Sequence, residues 1–407
     1  MNEPLDYREI MALIGQWLTV NYWGPMFQQV QAEPRLLATM PGFLLKPDKI
    51  IFYLSRNHIG IEYIGPERIT ELPTINYLDN HLHDYSRGDR PILDEIVGFD
   101  YSSGAFRLPL SNLNEDIVLP TNAGAAELFR LGWNWAAQSM MVGFNVAGFE
   151  VPIGQFVRIV NARFFDASEK DGLKTRHIKW LDLIPCEYVN FGNDADVFKI
   201  RLYEIYARLV ETDVYANYPL PADFRMERLQ QMNRVIEFVG EKANDEPSIT
   251  RLLASEDLQF VLKMRFSAKE VRAECLCEWQ SEKRKPIKPD FFVVGTNGYA
   301  EIVEFKLPEI GSKTVVGSNN RESFSSGLNS YISQTRVYRE YFDDPNNRAF
   351  VKWKFGFDVY KPRRHLVVGR RWHFNSSEWR AIAADYADIT IHTYDDLIDG
   401  VIVQFYN

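Results

Sequence analysis

The stretch KPDFFVVGTNGYAEIVEFKL, residues 288–307, holds two apolar runs joined by Asn297-Gly298. An Asn-Gly pair between such runs is the strongest short-range hairpin signal, because both residues tolerate the positive φ that a tight turn requires. The first run opens on Asp290 and the second carries Glu304 and Lys306 near its end. Side chains two apart on a strand share a face, so Glu304 and Lys306 point the same way. Pairing the runs about the turn brings Asp290 to the same end of the sheet, giving a cluster of two carboxylates and one ammonium.

The segments around this hairpin extend the pattern. Residues 224–242 show helical spacing through Phe224, Leu229, Met232, Ile236 and Val239. A second helix is expected within 248–265, strands at 270–279, 289–294 and 299–307, and a helix at 324–342. A strand at 365–368, a helix near 376–386 and a strand at 388–393 complete the order. Such an order suits an α/β (α+β) mixed sheet flanked by helices. Before it, Tyr218-Pro219-Leu220-Pro221 interrupts regular structure and marks a boundary. The chain thus reads as 1–219, a mixed α/β N-terminal domain, and 220–407, a second domain. In the first, a helix is expected at 6–22, two strands within 49–64 and a helix at 122–138.

Composition narrows the function. With 46% hydrophobic and 25% charged residues, the 407-residue chain is an ordinary folded protein too long for one core. Three cysteines, Cys186, Cys275 and Cys277, cannot build a disulfide framework, which suits the reducing cytoplasm. The acidic start MNEPLDYREI lacks a signal-peptide core, and no apolar run is long enough to span a bilayer. Residues 1–219 hold 19 Lys and Arg against 28 Asp and Glu, while 220–407 hold 27 of each, so the whole net charge of −9 lies in the first part. A neutral domain can still present a basic stripe to phosphates.

Asp and Glu are hard oxygen ligands suited to Mg²⁺, which keeps waters and binds substrate phosphate. A nearby Lys can orient the attacking water or stabilise the extra negative charge of the transition state. Gln334 and Tyr338 form a QxxxY on the following helix, with Gln placed to orient a phosphate or water and Tyr to brace the nucleic-acid backbone. The expected catalytic set is therefore Asp290, Glu304, Lys306, Gln334 and Tyr338, in a PD-(D/E)xK, restriction-endonuclease-like domain. Lys283, Arg284, Lys285 and Lys288 precede Asp290, and Arg363 and Arg364, with Arg370 and Arg371, form a second basic group. These are candidate DNA phosphate contacts. Gly311-Ser312-Lys313-Thr314 fails the spacing of a phosphate-binding loop, and His81 and His83 are assigned to a polar loop.

KPDFFVV at 288–294, IVEFKLPE at 302–309, SGLNSYISQTRVYREY at 326–341, RHLVVGRR at 364–371 and ITIHTYDDLIDG at 389–400 together resemble the catalytic domain of the Shedu anti-phage defence family, over roughly 245–407. The resemblance implies a metal-dependent DNA nuclease using Mg²⁺ (or Mn²⁺), often nicking one strand of phage DNA, in a homo-oligomer that is commonly a tetramer. These nucleases place a further acid upstream of the Asp. Glu256, Glu270, Glu274 and Glu278 are available, and the spacing of the family favours Glu274 as a third metal ligand. The resemblance leaves 1–219 unexplained, and that part is expected to recognise substrate or regulate. Two other readings remain: a restriction- or repair-type nuclease on other DNA forms, and a nucleic-acid-binding sensor with a degenerate site.

Overall fold

The computed structural model describes residues 7–74, 79–99, 107–109, 116–138, 140–141, 148–189, 197–220, 223–311, 313–318, 321–374 and 376–406; Pro221 and Ser312 lie outside them. The chain is mixed α/β and divides into two compact units. One holds 1–127, 135–168 and 174–223; the other holds 128–134, 169–173 and 224–407. No helix among the described residues is long and apolar enough to cross a membrane.

In the second unit, α1 (Phe224–Gly240), α2 (Glu246–Ala254) and α3 (Gln259–Arg265) precede β1 (Ala268–Ala273), β2 (Phe291–Gly295) and β3 (Ala300–Phe305). Then come α4 (Ser326–Gln334), α5 (Arg336–Asp343), α6 (Pro345–Phe355), β4 (Arg364–Val367), α7 (Ser376–Ala384), β5 (Ile389–His392) and α8 (Tyr394–Tyr406). The five strands lie in the order β1-β2-β3-β4-β5. The first three are antiparallel and the last two add in parallel. The expected hairpin forms with Gly298 at φ 84°, where a side chain would be strained.

Helices cover both faces of this sheet. Phe292, Val294 and Ile302 pack with Tyr338, Tyr341 and Phe342 of α5 and Val351 of α6. On the alternate face, Glu301 pairs with His365, which hydrogen-bonds His392, and Phe266 lies against both rings. Burial, with the Arg265 charge, pushes His392 down to about 4, so this layer holds a neutral imidazole. Several elements depart from the sequence reading: the helix expected within 248–265 is two, α2 and α3, and the strand expected at 270–279 is β1, Ala268–Ala273. The segment 324–342 is two helices that meet at Thr335, and α6 and α8 were not anticipated. Within α1, a Cβ on Gly240 would meet Leu131 Cδ1 at 2.6 Å and Leu173 Cδ2 at 3.2 Å, so a larger residue there would make these leucines shift.

The first unit carries an eight-stranded sheet. Its path runs Asp79–Asp84, Lys49–Leu54, His58–Ile64, Gly172–Val189, Val157–Ser168, Ile117–Pro120 and Met140–Met141, with Val197–Ile200 paired to the long strand. Leu18, Tyr22, Met26 and Val30 from the helical N-terminal segment pack on Ile50, Phe52, Ile61 and Ile184. Under this layer lies an ion network. Arg158 donates to both oxygens of Asp182 at 2.6 and 2.9 Å and to both oxygens of Asp213 at 2.8 and 2.9 Å. Tyr206 and Tyr22 donate to Asp182 and Asp213, and the Trp180 ring lies 4.6 Å from the guanidinium. Removing one member of such a buried set strands its partners' charges, at a cost of about 3–5 kcal/mol. Arg158→Ala is therefore expected to lower the urea midpoint of the first unit by a corresponding amount, followed by circular dichroism. An unchanged midpoint would show that the network does not hold the strand to its helices.

Candidate active site

The site is set by sheet register. Phe291 pairs with Val303, so the residues one step further, Asp290 and Glu304, come to lie side by side. Asp290 Oδ2 accepts the Phe305 amide at 2.8 Å, and the Asp290 amide approaches Glu304 Oε2 at 3.5 Å. Lys306, just past β3, donates to Glu304 Oε1 at 3.2 Å and to Glu246 Oε2 at 3.1 Å. Its backbone is pinned as well: its amide donates to the Val367 carbonyl at 2.9 Å, and Tyr394 donates to its carbonyl at 2.6 Å. From the helices, Tyr338 donates to Glu304 Oε2 at 3.0 Å and Gln334 Nε2 reaches Glu304 Oε1 at 3.4 Å. The structure thus brings together all five residues of the expected catalytic set.

The electrostatics follow from burial. Glu304 and Lys306 are each only 4% exposed. Desolvation, then the charge of Glu304, pushes the Asp290 carboxyl up to about 7, with Glu246 adding to the rise. Desolvation likewise raises Glu304 against the opposing pull of Lys306 and the Tyr338 hydrogen bond. Desolvation pulls Lys306 down, but Glu304 and Glu246 outweigh it and the group stays an ammonium. Three carboxylates therefore face one ammonium. That excess of crowded negative charge, carried on hard oxygens, fits a divalent cation such as Mg²⁺, which needs one or two carboxylates and completes its shell with water and phosphate. Among the described residues no group of three or more His, Cys, Asp or Glu is placed to hold a metal ion, so the two carboxylates that the sheet register sets side by side, Asp290 and Glu304, are the candidates to hold one.

The upstream acid differs from the sequence expectation. Glu274 does not enter the cluster. Its amide donates to the Asp290 carbonyl at 2.8 Å, but its backbone turns to φ 50° and its carboxylate pairs with Lys288 in solvent. Glu246 is the acid that meets the cluster instead, through Lys306 Nζ at 3.1 Å. It is the first residue of α2, whose start is fixed by Asp245 accepting the Ser248 amide at 2.9 Å in a capping box, with Pro247 in the first turn. That capping signature was the available sequence signal for Glu246.

The basic candidates separate. Arg364 is 2% exposed and is bound to Asp388 and Thr335, so it cannot contact a phosphate; burial beside the sheet corrects that expectation. Arg370, at 1% exposed, is locked to Asp395. Arg371 is exposed but tied to Asp396 and Asp399. Arg284 stacks on Trp279 and pairs with Glu340, and Lys288 is held by Glu274. Lys283, Lys285 and Arg363 are exposed. His81 pairs with Asp79, and His83 lies beside the rings of Tyr53 and Tyr85.

No curated protein matches the chain. Residues 241–398 match the family model described as Shedu protein SduA, C-terminal, and this span contains Glu246, Asp290, Glu304, Lys306, Gln334 and Tyr338. The 241–398 region of this chain is accordingly similar to the Shedu SduA C-terminal family.

Proposed function

We propose that the second unit is a Mg²⁺-dependent DNA endonuclease that nicks phage DNA. The likeness of residues 241–398 to the Shedu SduA C-terminal family supports a role in anti-phage defence. The observation that carries the enzymatic reading is the buried cluster of Asp290 and Glu304 with Lys306 at one end of a mixed sheet. Asp290 and Glu304 would hold the metal, with Glu246 beside them. An ion held there would supply polarisation of the scissile phosphate and a lowered pKa for a bound water. Lys306 supplies a fixed positive charge where negative charge develops, already in place because its own chain is pinned on both sides. Tyr338 and Gln334 hold the Glu304 carboxylate in one orientation. The acidic residues 1–219 serve in this reading to select which DNA is attacked, in a cytoplasmic homo-oligomer such as the tetramer common in the family.

Lys306→Ala should lower nicking of supercoiled plasmid by about a hundred- to a thousandfold with Mg²⁺ present, since one transition-state contact is lost. EDTA should silence the wild type. Wild-type rates from a folded Lys306→Ala protein, or rates indifferent to EDTA, would overturn the assignment.

A second comparison separates the two upstream acids. Glu246→Gln should weaken Mn²⁺ binding in calorimetry and slow cleavage, because it removes a charge from the cluster. Glu274→Gln should leave both within about twofold, as it breaks only an exposed pair with Lys288. The reverse ranking would restore Glu274 as the third acid.

A further inference from the structure

Helix α6 and the turn after it break the ordinary rules of a protein surface. Between 345 and 363 lie five basic residues, Arg348, Lys352, Lys354, Lys361 and Arg363, and one acid, Asp358, in a chain of net charge −9. Five aromatic residues, Phe350, Trp353, Phe355, Phe357 and Tyr360, alternate with them. Trp353 is 80% exposed and Tyr360 56%. A bare tryptophan on a helix is uncommon, because it forgoes the burial that its large ring would gain.

The placement is ordered. Val351 and Asn347 are the buried side of α6, and Trp353, two residues on from Val351, stands about 160° around the helix from it, facing away from the core. To one side are Arg348 and Lys352. Arg348 lies 5.3 Å from the Tyr360 ring centre and Lys361 lies 5.7 Å from it. To the other side, Phe350 is 6.1 Å from Trp353, and Lys354 is 5.0 Å from Phe350. Lys354 and Lys361 form no ion pair among the described residues; Lys354 donates only to the Leu276 carbonyl. Tyr360 thus has cations beside its ring, and Trp353 stacks near Phe350, which Lys354 flanks.

We propose that this face of α6 with the 356–361 turn is a platform for single-stranded nucleic acid. Bases stack on Trp353 and Tyr360, and Arg348, Lys354 and Lys361 meet the phosphates. Base faces are free to stack on aromatic side chains only when the strand is unpaired, and such stacking tolerates any sequence. A protein partner fits less well, since the cores of protein interfaces shed lysine whereas here lysines border the rings. The face also has a position relative to the candidate site. Tyr299, which precedes β3, bridges to Asp358 at the hairpin end of the sheet, and Glu304 lies at the other end. Five residue steps along the strand separate them, about 17 Å. The platform extends the DNA reading of the second unit by naming the form of the polymer held beyond the cleavage site, and its binding is measurable without cleavage.

The test uses the full chain carrying Lys306→Ala, with EDTA present and a fluorescently labelled 12-residue oligodeoxythymidine as probe. Trp353→Ala and Tyr360→Ala should each weaken binding by about tenfold. The pair Lys354→Ala with Lys361→Ala should reduce the slope of log affinity against log salt by about 1.4, for two single-strand phosphate contacts. Affinity for a blunt 12-base-pair duplex should change less than twofold in the aromatic variants. Single-strand affinity unaltered by the ring substitutions, or no binding by the parent chain, overturns the proposal. So does a change of sedimenting mass in Trp353→Ala with oligonucleotide affinity intact, which would make this face a protein interface. Because metal and cleavage are absent throughout, these results stand apart from the plasmid assay of nuclease activity.

Discussion

Glu304 is a carboxylate taken almost wholly out of water, and the site is arranged around keeping it charged. An ion so placed is tolerable only when its oxygens are met by donors. Here they come from three places: Lys306 beyond the same strand, Gln334 and Tyr338 from α4 and α5, and the Asp290 amide from the neighbouring strand. Each donor acquires a property from this duty. Lys306 stays an ammonium despite its burial, and burial with the adjacent charge keeps the Tyr338 phenol protonated. Burial raises both carboxyls, and Asp290, with fewer donors of its own, is pushed up to about 7.

That arrangement depends on a sheet with two dissimilar faces. The strand that presents Ile302 and Glu304 to α5 presents Glu301 to His365 on the other side. The site face passes from apolar packing on Phe292 and Ile302 directly into the charged cluster, so the core of the domain continues up to the reacting groups. Rigid elements hold such groups in geometry better than loops can. The parallel addition of β4 beside β3 serves the same end, since the Val367 carbonyl receives the Lys306 amide.

Much of this was legible in local patterns. The Asn297-Gly298 turn and the two-residue strand period were enough to put Asp290, Glu304 and Lys306 in one cluster, because hairpin pairing is a short-range constraint. Glu246 was not, for it meets Lys306 only through the path of α2 and no residue near Glu246 encodes that meeting. Its helix start was nonetheless written in Asp245 to Ser248. Similar starts went unread at Asp344-Pro345, which opens α6, and at Thr393, whose amide and hydroxyl both donate to Asp396 to open α8. The burial of Arg364 and Arg370 was hidden for a different reason. A run of arginines looks solvent-facing until its acids, Asp388 and Asp395, are brought in from 24 and 25 residues away.

Gly240 carries a consequence for how the chain can be shortened. Its missing side chain leaves room for Leu131 and Leu173, which belong to the same compact unit although they precede Phe224 in the chain. A piece that begins at Phe224 therefore loses both leucines and leaves this side of α1 uncovered.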